Sequence, residues 1–405
     1  MTGTSIPTQP MPLWRKASVL ALHSSTAGVL LLAGCSIPTQ PQSPLFEYLG
    51  DAVIPHEFQI DGTVVGGLSG ITYDPGRQVY YVISDDRSEN SPARFYSARI
   101  SFAQDRLAGL EVFDTTTLLD PNSRPFGSLL PDADPPVIPP DPEGIAFDER
   151  RQQLYWTSEG ARELEDPDRP LLLDPWVRSA EVNGGFRGRI SLPPMFAMSA
   201  LETGPRQNLS LEGVTLTPSG RHLYAAMEGP LLTDGPPPTE QEGALTRIIR
   251  LDPEAGTATG QFAYPLDPVS AGSGGDTGLS DLVALDDETF LVVERSYSEH
   301  NVIRIYRASV TSADNVLIRE SLDGIPPQAM AKELIAELSS GSEVNHADNI
   351  EEITLGPRLS DGRQTVVLVS DDNFRAEQVT QLIAFAYGAG PSGGHVREHR
   401  RTAEP

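Results

Sequence analysis

The chain has 405 residues, 39% of them hydrophobic, enough for one large repeat-built domain or two ordinary ones with a sizeable core. Its formal charge of −26 excludes the basic footprint of a nucleic-acid binder and means that cations must be recruited before an anionic substrate approaches. Cys35 is the sole cysteine, which excludes an internal disulfide and a thiolate zinc cluster, and 36 glycines with 36 prolines favour tight turns over long helices.

Residues 1–35 read as a targeting segment. Arg15 and Lys16 precede the apolar stretch Ala17–Gly34, which ends in Leu-Leu-Ala-Gly-Cys. That ending resembles a bacterial lipobox. The resemblance implies that Cys35 is lipidated and becomes the first mature residue, on a protein held in the cell envelope outside the cytoplasm. A plain secretory signal, or a true start at Met11, is the alternative. Ala17–Gly34 is barely long enough for a membrane span and is polar at His23, Ser24 and Ser25, so contact with the membrane is expected only through the anchor. Residues 36–44, rich in Pro, Gln and Ser, read as a tether.

From residue 45 to 388 the chain reads as all-β. A hairpin recurs five times: Leu68–Asp86, Pro142–Glu159, Leu211–Glu228, Leu279–Glu294 and Ile350–Asp372. Two further strands follow the hairpin in each of the first four units, giving the four-stranded meander of a propeller blade. In the first unit these are Arg94–Ser101 and Leu107–Leu118. In the fourth they are Val302–Ala308 and Asn315–Glu320, with Ala329–Leu338 as a helical connection. The fifth unit is one strand short, and Phe46–Ile60 has a strand to spare. Pairing the two closes the ring and removes both open edges. Gly70, Gly144, Gly213, Asp281 and Glu352 recur at equivalent places, 68 to 74 residues apart. Five blades are the direct reading. Six blades, or two β-sandwiches, are the alternatives, and the sandwiches leave the repeated acids unexplained. Residues 389–405 read as a disordered tail, and a monomer is expected.

Two acidic sets emerge from the repeats. At the start of the first strand stand Glu143, Glu212 and Glu351, with Asp281 and Glu352 one position later and Ser69 and Ser280 in place of Glu. At the exit of the second strand stand Asp85, Glu159, Glu228, Glu294 and Asp371. The two strands are antiparallel, so both sets converge on one mouth of the central channel. Converging carboxylates repel unless a cation sits among them, and flexible hard oxygen ligands suit calcium. The candidate ligands are Asp85, Glu143, Glu212, Glu228, Asp281, Glu351, Glu352 and Asp371. The plainer alternative is that these acids cap turns or pin blade to blade.

The pairs Glu143-Gly144-Ile145 and Glu212-Gly213-Val214, the endings Ser158-Glu159 and Ser370-Asp371, and Val293-Glu294-Arg295 resemble the bacterial family called esterase-like activity of phytase, over about Gly66 to Tyr387. The resemblance implies a secreted propeller with clustered Asp and Glu that cleaves a small phosphorylated substrate. In that setting calcium neutralises the mouth and activates a water, Arg87, Arg295 and Arg375 grip the phosphate, and Glu159 or Glu294 accepts the water's proton. Two Ser replacements argue against a metal shared by all five blades. A non-catalytic ligand- or protein-binding propeller and a lactonase-like calcium hydrolase are the alternatives.

Overall fold

A computed structural model describes residues 45–388, apart from 167, 271, 273 and 340–347. Cys35, the tether and the tail therefore lie outside the described residues. No helix among the described residues is long and apolar enough to cross a membrane.

The fold is an all-β propeller of five four-stranded antiparallel blades. The innermost strands are Leu68–Asp74, Pro142–Asp148, Leu211–Leu216, Asp276–Ala284 and Ile350–Arg358, heading blades 1 to 5. Each packs against the next, and the fifth packs against the first. Phe46–Ile54 pairs antiparallel with Thr380–Tyr387 as the outermost strand of blade 5, so the two ends of the domain close the ring as expected.

The period of two that builds the strands also builds the core. In Thr289–Tyr297, Phe290 and Val292 pack toward blade 3 beside Tyr224 and Tyr264, while Leu291 and Val293 pack toward blade 5 beside Ile353 and Val366. The same alternation gives an apolar layer between blades 1 and 2, between 2 and 3, and between 5 and 1. Both faces of the inner hairpins are thus buried, which is why these segments read as nearly continuous apolar runs. The narrow axis demands small residues. A methyl group on Gly70 would strike the Glu143 carbonyl, and one on Gly144 would strike the backbone of Glu212 and Val214.

Blade 4 corrects one expectation. Ala331–Ser339 is not helical; it is the outermost strand, paired with Asn301–Ser309 from Val302↔Ser339 to Ser309↔Ala331. Its residues are good helix formers, but the exposed edge of a blade supplies hydrogen-bond partners that a lone short helix lacks. Asn315–Glu320 is not a strand. It crosses to blade 3, where the Val316 N–H donates to the Gln261 carbonyl and the Val316 side chain packs on Ala263.

Candidate functional site

Every inner strand carries a register shift at its first turn. The shifts fall between Leu68 and Gly70, Pro142 and Ile145, Leu211 and Val214, Leu279 and Asp281, and Ile350 and Glu352. The first residues inside the shifts are Ser69, Glu143, Glu212, Ser280 and Glu351, the strand-start positions of the sequence repeat, followed in blades 2 and 3 by Gly144 and Gly213. A bulge re-aims the side chain that it releases from the ladder. Here it turns Glu143, Glu212, Ser280 and Glu351 into a cavity of about 330 Å³ at one end of the channel. Ser69 instead donates to the Pro142 and Glu143 carbonyls and ties blade 1 to blade 2.

The second ring of residues lies just past the second strands. The N–H groups of Asp85, Glu159, Glu228 and Asp371 donate to the carbonyls of Gly67, Asp141, Ser210 and Asn349. The matching ladder pair in blade 4 is Gly278↔Arg295, one step beyond Leu279↔Glu294. Arg295, not Glu294, is therefore the fifth member of this ring. One residue of offset reverses the side of the strand. Glu294 faces blade 3, where it accepts from the Tyr264 hydroxyl at 2.7 Å, the Asp267 N–H at 3.1 Å and Lys332 Nζ at 2.5 Å. It does not reach the cavity, so Glu294 is not the proton acceptor that its sequence position suggests.

Of the expected residues, Asp85, Glu143, Glu159, Glu212, Glu228, Glu351, Asp371, Arg87 and Arg295 line the cavity. Asp281 and Glu352 do not. They are buried between inner strands, where Asp281 Oδ2 accepts from the Ile353 N–H at 3.0 Å and pins blade 4 to blade 5. Neither carboxylate oxygen of Glu352 has a hydrogen-bond partner. Arg375 is exposed and outside the cavity, its backbone N–H bonded to the Asp372 carbonyl in the turn after the strand. Asp86 and Asp372, the second acids of their pairs, are structural. Asp86 is ion-paired with the fully buried Arg94 at 2.7 Å, and Asp372 accepts from the Gly67 N–H at 2.9 Å.

Carboxylate oxygens converge in two groups: Asp141, Glu143 and Glu159, and Glu159, Glu212 and Glu228. Within each group one oxygen from every residue lies within 4.8 Å of the others. Glu159 belongs to both, and it also accepts from the Ser210 N–H at 2.8 Å across the blade 2–blade 3 boundary. Asp141 does not recur in the other units, where Gly67, Ser210, Gly278 and Asn349 take its place, so repetition alone gave no signal for it.

Burial and mutual repulsion raise these acids together. Burial first, then Asp141, pushes Glu159 up to about 8. Burial pushes Glu228 up to about 7, although Arg295 pulls the other way. Asp141 rises to about 6 by burial against the opposing pull of Arg87. Glu143, Glu212, Asp85 and Asp371 are raised well above the ordinary carboxyl range by burial and then by neighbouring acids. Two cations temper this field. Arg87 pairs with Asp141, and Arg295 reaches Glu351 at 3.1 Å, Glu228 at 3.4 Å and the Asn349 side-chain oxygen at 2.6 Å. Arg295 Nε is buried with no acceptor.

The donor set fits a hard divalent cation. Among the described residues it consists of carboxylate oxygens, with no sulfur or imidazole in the cavity wall. The donors that reach the raised acids are few, among them the Ser210 N–H on Glu159, the Asn373 N–H on Asp371, Arg87 on Asp141 and Arg295 on Glu228. A bound cation replaces the protons that repulsion otherwise recruits.

The family described as Phytase-like, esterase-like activity of phytase, matches residues 63–374. No curated protein matches the chain. Among solved structures, a nidogen/laminin complex is similar over 83% of this chain and 94% of its own, at 12% identity and a TM-score of 0.33. An exo-β-1,3-galactanase from Phanerochaete chrysosporium is similar over 83% of this chain and 64% of its own, at 12% identity and a TM-score of 0.42. Likeness at this level says nothing about substrate.

Proposed function

The chain belongs to the esterase-like activity of phytase family, and from that premise we propose that it is a calcium-dependent phosphoesterase whose active site is the acidic mouth of blades 2 and 3. The observation that carries this reading is the pair of carboxylate triads sharing Glu159.

Asp141, Glu143 and Glu159 would hold one cation, and Glu159, Glu212 and Glu228 a second. A cation bound there supplies charge neutralisation for phosphoryl oxygens and a more acidic water. The remaining work belongs to the chain itself. Arg295, anchored by Glu351, Glu228 and Asn349, lines the cavity and offers its guanidinium charge to a phosphate oxygen. Arg87 also lines the mouth, held by Asp141. Asp85 and Asp371 lie outside both triads, both raised by burial, and Asp85 raises Asp371 further. A carboxyl raised in this way, Asp371 first, takes a proton from the attacking water and returns one to the leaving oxygen. Glu159 therefore moves from the proton-accepting role expected of it to a ligand role.

Hydrolysis of phosphomonoesters and phosphodiesters, measured with calcium, with chelator and in Glu212→Gln, tests the proposal. Loss of turnover under both changes is expected. Turnover indifferent to both would overturn it, and turnover of lactones without phosphate esters would transfer the site to lactone hydrolysis. We also propose lipid attachment at Cys35 and residence in the cell envelope. Fatty-acid labelling that persists in Cys35→Ala would refute the attachment.

A further inference from the structure

A second cavity of about 410 Å³ opens beside the acidic mouth and shares Arg87, Glu89 and Asp141 with it. The long connection after blade 1 supplies Phe126 and Ile138, and a short hairpin on blade 2, Ala161–Glu163 with Leu171–Leu173, supplies Leu172. Trp176 forms one wall, set edge-on against the buried Trp156 at 4.5 Å between ring centroids. Arg178 lies over the Trp176 ring, its guanidinium carbon 4.0 Å from the centroid. Its Nη1 is buried and has no acceptor. The charged groups acting on Arg178 are Arg189 and Asp120, and burial is the larger influence, holding the guanidinium down to about 10.

A flat apolar wall, an adjoining phosphate site and one cation lacking an acceptor define a ligand by its parts. We propose that this cavity is the leaving-group subsite, and that the substrate is a phosphate ester of an aromatic alcohol that bears a carboxylate. The ring occupies the space bounded by Trp176, Phe126 and Leu172, and the carboxylate meets the Arg178 guanidinium, which has no acceptor of its own among the described residues. The phosphate stays at the threshold beside Arg87. In the reaction the water oxygen forms a bond to phosphorus, and the bond from phosphorus to the alcohol oxygen breaks. The alcohol oxygen keeps the electron pair and gains a proton, so water and ester give the free alcohol and inorganic phosphate. This inference rests on the phosphoesterase reading for its chemistry but not for its binding site.

The test compares three esters whose leaving alkoxides are of similar basicity: 4-carboxybenzyl, benzyl and ethyl phosphate. The expected order of kcat/KM is carboxybenzyl over benzyl by about 10-fold and benzyl over ethyl by about 10-fold, each the worth of one modest contact. Arg178→Met brings the first ratio to about one, and Trp176→Ala lowers the second. Calorimetric titration of 4-(hydroxymethyl)benzoate into Glu159→Gln reads the subsite without turnover. Equal kcat/KM for all three esters together with no binding of the acid would overturn the inference while leaving the phosphoesterase reading intact. Binding of the acid that Arg178→Met abolishes, with no phosphomonoester or phosphodiester hydrolysed, would support a site for an aromatic carboxylate and overturn both its leaving-group role and the phosphoesterase reading. If Arg178→Met does not fold, the wild-type ratios and the titration decide the matter.

Discussion

Blades 2 and 4 are built to one plan and do different things at the mouth. In blade 2 the bulge releases Glu143 and the second strand exits through Glu159, with Asp141 opposite it on the ladder. In blade 4 the bulge releases Ser280, and the ladder places Arg295 opposite Gly278. The backbone is close to fivefold, but the chemistry is one-sided. Five equivalent acids would only repel one another. Acids from blades 1, 2, 3 and 5, with Arg295 of blade 4 set against them, make a site with a negative wall and a positive one. A cation and an anionic ester need that polarity.

The largest expected effect is on the acidic wall. Glu159→Gln removes the ligand shared by both triads, and phosphoesterase activity should fall by about 10²- to 10³-fold. Full activity in that variant would dissolve the distinction between the two sides. Arg295→Met tests the positive wall. It removes a charged hydrogen-bond donor, so kcat/KM for a phosphate ester should fall by about 10- to 100-fold. An unchanged kcat/KM would assign Arg295 to blade locking alone.

Glu294→Gln should leave turnover within about 3-fold of wild type and lower stability by about 1–3 kcal/mol, because it weakens a buried carboxylate that holds Lys332 and Tyr264. Loss of activity with unaltered unfolding would place Glu294 back at the mouth.

The smallest effect is the response to pH. The carboxyls of Asp141, Glu228 and Glu159 lie at about 6, 7 and 8 in the folded state, above the usual unfolded value of about 4. Between pH ~4 and ~8 the folded protein then holds protons that the unfolded chain has lost, so stability without metal falls as pH rises through that window. Calcium competes with those protons. Its stabilisation, about 2.7 kcal/mol at a hundredfold excess over Kd, should therefore be larger at pH 8 than at pH 5. Thermal unfolding at both pH values, with and without calcium, checks this; equal shifts would contradict it.

The ring was legible because each blade buries both faces of its inner hairpin, which leaves dense apolar runs at a regular spacing. Closure was legible because a fifth unit with three strands leaves an edge that the spare strand Phe46–Ile54 must cover. The rim was only half legible. Hairpin turns differ in length among the units, so sequence does not fix whether Glu294 or Arg295 matches Glu159. The acidic residue looked like the match, and the ladder chose the arginine. Asp141 carried no repeat signal at all. Ala331–Ser339 was obscured because an outermost strand buries little of its surface, which lets local helix preference dominate the pattern.

Calcium titration followed by calorimetry, run in parallel on the wild-type protein, Glu159→Gln and Glu294→Gln, tests the central claim most directly. Saturable binding in wild type and Glu294→Gln, weakened at least about 10-fold in Glu159→Gln, is the predicted result. Equal binding by Glu159→Gln and wild type would contradict a cation site in the mouth of blades 2 and 3.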